Sequence, residues 1–172
     1  MPRREARFTV NAPPAELWQF IRDFESLCTC IPGVERVHVV DDRTAELTVR
    51  EKIGVVPLIV NLTARIDSEE SPRRLRATAR AEHLTMAIDV TLQGTAKQTE
   101  LLSVFDVKGE GQLKAIVDRL FEKRATERAA QFAESLEKRF GAASPATAAP
   151  QERGGPIRRW FTRLWRRLTS TS

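Results

Sequence analysis

The pattern of hydrophobic and polar positions changes period twice along this chain. Residues 5–11 alternate, with Phe8 and Val10 on one face, and Asn11 ends that strand before Pro13-Pro14 starts a helix at Ala15. Leu17, Trp18, Phe20 and Ile21 form the apolar side of that helix. Phe24, Leu27, Cys28 and Ile31 keep a helical spacing up to Pro32-Gly33, which must stop it. From residue 34 to residue 108 the period is two, punctuated by turn signals at Asp41-Asp42-Arg43, Gly54, Ser71-Pro72-Arg73 and Gly94, and it predicts six strands. Leu58, Val60, Leu62, Ala64 and Ile66 alternate with Ile59, Asn61, Thr63 and Arg65; Leu84, Met86, Ile88, Val90 and Leu92 alternate with Thr85, Ala87, Asp89, Thr91 and Gln93. Each strand therefore buries one face, as in an antiparallel sheet.

After Gly109-Glu110-Gly111 the spacing returns to that of a helix, running to Phe140 with Leu113, Ile116, Val117, Leu120, Phe121, Ala125, Ala129, Phe132 and Leu136 on one stripe. Such a stripe is read first as core. Strand, two short helices, six strands and a long helix describe an α+β helix-grip fold, a curved antiparallel seven-stranded sheet around the C-terminal helix. One strand presents Leu75, Ala77, Ala79 and Ala81 inward. Either those methyl groups allow close helix packing or they leave a cavity between sheet and helix.

The chain of 172 residues suits one domain and a tail, and its net charge of +5 is unevenly placed. Residues 1–152 hold 22 Lys+Arg against 23 Asp+Glu, whereas residues 153–172 hold six Arg and no acid. The domain is expected over residues 1–140, a flexible Ala/Pro/Gly linker over 141–155, and an amphipathic helix over 156–169. In that last segment Ile157, Trp160, Phe161, Leu164, Trp165 and Leu168 make one apolar stripe, and Arg158, Arg159, Arg163, Arg166 and Arg167 fill the rest. It is too short to span a bilayer. Its composition fits an interfacial helix on anionic lipid, ahead of a docked partner helix and well ahead of nucleic acid, which would leave the apolar stripe idle in water.

The start of the chain has no apolar signal region, so a cytoplasmic protein is expected, and the interfacial terminal segment would make it peripheral on the inner face of the cell membrane. Cys28 and Cys30, one residue apart, read as reduced and buried, and with only His38 and His83 present no metal site is expected. His83 neighbours Glu82, but as adjacent strand residues they would face opposite ways; His38, among valines, reads as a rim or surface residue. No nucleophile elbow, phosphate loop or metal-ligand cluster is present, and no catalytic residue is expected.

The segment FTVNAPPAELWQFIRDFESLCTCIPGVERV, with Asp23 and Cys30-Ile31-Pro32-Gly33, resembles the opening of the carbon monoxide dehydrogenase CoxG family, part of the START-like, SRPBCC superfamily. EKIGVVPLIVNLTARI is similar to that family's strand–Gly–strand hairpin, and LLSVFDVKGEGQLKAIVDRLFEKRA to its last strand and helix entry. The resemblance implies a hydrophobic ligand cavity in a non-enzymatic accessory protein that works with a molybdenum hydroxylase of the carbon monoxide dehydrogenase type and anchors it at the membrane. A respiratory quinone, menaquinone or ubiquinone, is the expected ligand, because such a partner must pass electrons to a respiratory chain. Face assignment gives the expected lining as Leu27, Ile31, Val34, Leu58, Val60, Leu62, Ala77, Ala79, Met86, Ile88, Val90, Leu113, Ile116, Val117 and Leu120. Pro32-Gly33 and Gly54 are expected to shape one mouth. The competing expectations are a recruitment protein with a filled core and a START-like cyclase or hydrolase.

Overall fold

The computed structural model describes residues 3–141. The expected linker and terminal helix, and with them every membrane-binding residue named above, lie outside the described residues. The chain forms β1 (Arg3–Val10), α1 (Pro14–Arg22), α2 (Phe24–Cys30), β2 (Val34–Val39), β3 (Thr44–Ile53), β4 (Val56–Glu70), β5 (Arg74–Ala81), β6 (Leu84–Gly94), β7 (Thr99–Gly109) and α3 (Lys114–Phe140), the last entered through a 3-10 turn at Gly111–Leu113. The seven strands form one antiparallel sheet in the order β1-β7-β6-β5-β4-β3-β2. Two boundaries differ from expectation. The first helix begins at Pro14, because proline at the first helical position sacrifices an N–H that has no helical partner anyway. Glu82 and His83 belong to no strand: they are the turn of the β5–β6 hairpin, with His83 Nε2 3.7 Å from Glu82 Oε1.

Asp23 separates the two short helices. Its carboxylate accepts from the Glu25 and Ser26 N–H groups at 3.0 and 3.5 Å and from the Ser26 hydroxyl at 2.8 Å, capping α2. The Ser26 hydroxyl bond is the leading reason that the Asp23 carboxyl sits below its ordinary range. At the other end of the molecule Gly33, with φ +85°, turns the chain from α2 into β2. A Cβ there would lie 2.8 Å from the Arg50 carbonyl oxygen, so only glycine fits. Gly109 is also required: a Cβ would meet the Lys114 backbone at 2.8 Å, which is how closely α3 starts upon the end of β7.

The helix-side face of the sheet is set by the register. Ala64, Ala79, Met86 and Val107 form one row across β4–β7, and Ile66, Ala77, Ile88 and Phe105 form the next. The tightly buried cluster lies toward one end of this face, where Phe8, Val10, Leu17, Trp18, Phe20, Ile21, Leu92, Leu101 and Leu136 pack together. Phe132 stands edge-on to Phe8 at 5.2 Å and Phe140 edge-on to Phe20 at 5.3 Å, with the Arg139 guanidinium 4.7 Å from the Phe20 ring centre. Cys28 and Cys30 are buried and unbonded, and burial pushes the Cys28 thiol up to about 11, far from a reactive thiolate.

Candidate functional site

The antiparallel order places four connections at the opposite end of the sheet: the Pro32-Gly33 turn, the β3–β4 tip at Gly54-Val55, the Glu82-His83 turn and the entry to α3. The Glu110 N–H donates to the His83 carbonyl at 2.9 Å, which ties the last two together. Here the space between helix and sheet is not closed. On α3, Leu136 is 3 % exposed, whereas Leu113 and Ile116, on the same apolar stripe, are 40 % and 47 % exposed. Val117, Leu120 and Phe121 are half-buried. Facing them, Val60, Leu62, Ala81, Leu84, Met86 and Ile88 are half-buried as well. The result is an apolar cleft between α3 and the β3–β6 part of the sheet.

Small residues and absent neighbours explain the opening. β5 contributes only the short side chains of Ala77, Ala79 and Ala81, where the sealed end contributes Phe8 and Leu101. The short helix α1 backs the sealed end, with Leu17, Trp18, Phe20 and Ile21.

The expected lining residues divide along the same line. Leu58, Val60, Leu62, Met86 and Ile88 share the helix-side face with Leu113, Ile116, Val117 and Leu120 above them. Leu58 is the outermost and is exposed. Leu27, Ala77 and Val90 pack as partly buried residues against the sealed core and so mark the cleft's inner boundary; Ala79 is buried in the floor. Val34, half-buried, pairs with Val49 at the edge near Gly33, and Ile31 is half-buried just before it.

Sequence reasoning missed the polar element of the site. Glu51 pairs across the hairpin with Leu58 and so points to the helix side, where the Arg128 guanidinium of α3 donates to its Oε1. The pair is partly sheltered, with side chains 28 % and 19 % exposed, and Arg128 also lies against Gly33. Arg124, one turn earlier on α3, is half-buried and holds Glu127 at 2.6 Å. The signal was available: Arg124 and Arg128 fall at i and i+4 beside Phe121 and Ala125, on the edge of the apolar stripe. Leu47, Val49 and Phe121 complete the apolar wall, and alternation along β3 marks the first two.

The outer face is different. A hollow of about 560 Å3 over β2–β4 is lined by Arg36, His38, Glu46, Thr48, Asn61 and Thr63, with Leu47 and Leu62 behind them. His38 is exposed there, on the far side of the sheet from the cleft. Among the described residues no group of His, Cys, Asp and Glu could hold a metal ion, and no helix is long and apolar enough to cross a membrane.

A curved antiparallel sheet gripping a long C-terminal helix over an apolar cleft defines the START-like class. Solved structures agree on the fold. The chain is similar to a conserved protein from Geobacillus kaustophilus (TM-score 0.69, 14 % identity, covering 84 % of this chain and 99 % of that one). It is also similar to a START superfamily protein from Mycobacterium smegmatis (TM-score 0.63, 13 % identity, 80 % and 96 % covered). A third likeness is to the Zhui aromatase/cyclase from Streptomyces sp. R1128 (TM-score 0.63, 16 % identity, 84 % and 98 % covered). At these identities the likeness extends to the fold alone. Residues 7–141 match the family model of CoxG, a carbon monoxide dehydrogenase subunit, and the chain belongs to that family. No curated protein matches the chain.

Proposed function

We propose that this protein is a non-enzymatic carrier that holds a long apolar molecule, with menaquinone or ubiquinone the best candidate, in the cleft between α3 and the sheet. The observation that carries this reading is the exposure of the N-terminal half of the α3 stripe over a floor of alanines. Leu113 and Ile116 are 40 % and 47 % exposed, so an apolar ligand that covered them would recover about half of the roughly 1.5–3 kcal/mol that full burial of such a side chain gives. The residues suit the ligand: aliphatic walls fit an isoprenoid chain, and Arg124 and Arg128 carry N–H donors for a quinone carbonyl. Membership of the CoxG family supports a molybdenum-containing carbon monoxide dehydrogenase-type enzyme as partner. The arginine- and tryptophan-rich segment at 156–169 supports attachment to anionic lipid on the inner membrane face. In this reading the carrier takes quinone from the membrane, presents it to the enzyme and returns it reduced.

The test is direct. Organic extracts of the purified chain, tail included, are examined by mass spectrometry for isoprenoids, and menaquinone and ubiquinone are titrated in detergent while the melting temperature is followed. Near-saturating quinone should raise the melting temperature by about 5–10 °C. Met86→Lys, which puts a charge on the cleft floor, should abolish that rise. Empty extracts and no shift with either quinone would overturn the carrier reading and leave recruitment of the enzyme to the membrane.

A further inference from the structure

The end of the molecule at which the cleft opens is itself apolar. Among the described residues, six of the eight large hydrophobic side chains that are exposed lie there: Val55, Val56, Leu58 and Ile59 on the β3–β4 hairpin, and Leu113 and Ile116 at the start of α3. The hairpin also outruns the strands beside it. β3 pairs with β2 no further than Val49, beyond which the Arg50 N–H donates to the Gly33 carbonyl at 2.7 Å, and β4 pairs with β5 only from Thr63 onward. Glu51–Ile53 and Val56–Leu58 therefore stand as a two-stranded ribbon with no strand on either side, about 10 Å long, held from the helix side through the Arg128–Glu51 pair.

We propose that this ribbon and the first turn of α3 form a second membrane contact, which seats the cleft mouth on a lipid bilayer. The proposal rests on the carrier reading for its purpose but on separate residues for its evidence. The ribbon is aliphatic on both faces: Leu58 points to the helix side, Ile59 points outward at 55 % exposure, and Val55 and Val56 at the tip are 96 % and 61 % exposed. A protein partner covers one face of a two-stranded ribbon and leaves the other in water, whereas a fluid apolar phase surrounds it. No charge interrupts residues 53–60, and the first exposed charge behind the tip is Lys52, of the sign that anionic headgroups attract. An interfacial depth of about 5–10 Å accommodates two or three residues of each strand. The Ile53–Val56 pairing keeps the backbone of that tip bonded to itself.

Chain length makes the two contacts compatible. α3 carries the chain about 40 Å away from the rim over its 27 residues. The roughly 15 residues between its end and residue 156 can span on the order of 50 Å, so the basic terminal segment reaches the plane on which the rim would sit. The tail then supplies attraction and the rim supplies orientation, with the cleft opening into the phase where an isoprenoid dissolves.

The experiment compares the full chain with its Val55→Asp/Val56→Asp and Val55→Leu/Val56→Leu variants in flotation with phosphatidylcholine/phosphatidylglycerol vesicles. Menaquinone binding in detergent and melting temperature are measured in parallel. Because both valines are in water, the aspartate variant should melt as the parent does; it should bind vesicles about ten-fold or more weakly, while the leucine variant binds at least as well as the parent. Unchanged vesicle affinity in the aspartate variant, or no vesicle binding by the parent chain, overturns the proposal and turns the rim toward a protein partner. Loss of vesicle binding in a chain that never binds menaquinone would sink the carrier reading while the membrane contact stands. Retained menaquinone binding with unchanged vesicle affinity would do the reverse.

Discussion

The two halves of α3 carry the same apolar periodicity and meet different fates. The C-terminal half is locked: Leu136 is buried, and Phe132 and Phe140 meet Phe8 and Phe20 edge-on. The N-terminal half, with Leu113 just before it, leaves Leu113 and Ile116 exposed and Val117, Leu120 and Phe121 half-buried over a face that includes Ala79 and Ala81. An apolar stripe on a helix is thus neither core nor site in itself. What decides is the size of the side chains opposite and whether a further layer, here α1, stands behind them. The difference places the packed core at one end of the molecule and the exposed apolar surface at the other.

The sharpest way to break this comparison is to truncate one leucine or isoleucine at each end. Leu101→Ala, in the sealed cluster, should cost about 2–5 kcal/mol in denaturant unfolding, while Ile116→Ala should cost under about 0.5 kcal/mol. Equal costs would mean that the cleft is closed in solution. The next effect concerns the strut between the two walls. Arg128→Ala leaves the Glu51 carboxylate sheltered and unpaired and should cost about 1–3 kcal/mol. A double-mutant cycle with Glu51→Gln should return a coupling of about 0.5–3 kcal/mol, and a coupling of zero would show that the pair does not hold the cleft wall.

The smallest effect belongs to the cap of α2. Asp23→Ala should cost about 0.5–2 kcal/mol near neutral pH. Its acid dependence follows from the sign of the shift. The folded carboxyl titrates below its ordinary value, so the stabilisation is present above the unfolded value of about 3.9 and is lost as pH falls through the lower folded value. Stability of the parent chain and the variant, measured from neutral pH downward, should converge in that acid window, and curves that stay parallel would remove Asp23 from the account.

Much of this architecture can be read from local pattern. The alternation over 58–66 and 84–92 assigns the helix-side face that the strand register shows. Pro13-Pro14, Pro32-Gly33 and Gly109–Gly111 bound the helices, because each limits what the backbone can do next. The β5–β6 turn escapes this kind of reading: Glu82-His83 contains no glycine, proline or asparagine, so alternation runs through it and the two side chains are taken for opposite strand faces. Arg128 and Glu51 escape it for another reason. They are 77 residues apart, and only the docking of α3 over β3 brings them together.

The sequence by itself determines the element order, the buried face of each strand and the family, since these follow from periodicity, turn chemistry and motifs that lie within short windows. It also places every arginine of the tail after residue 152. Only the tertiary structure decides which half of α3 is sealed, that the charged pair spans the cleft, and that the IGVVPLI hairpin extends past its neighbours into solvent. Those outcomes depend on where strands stop pairing and on how large the facing side chains are. Both are sums over distant residues, and no local pattern records them.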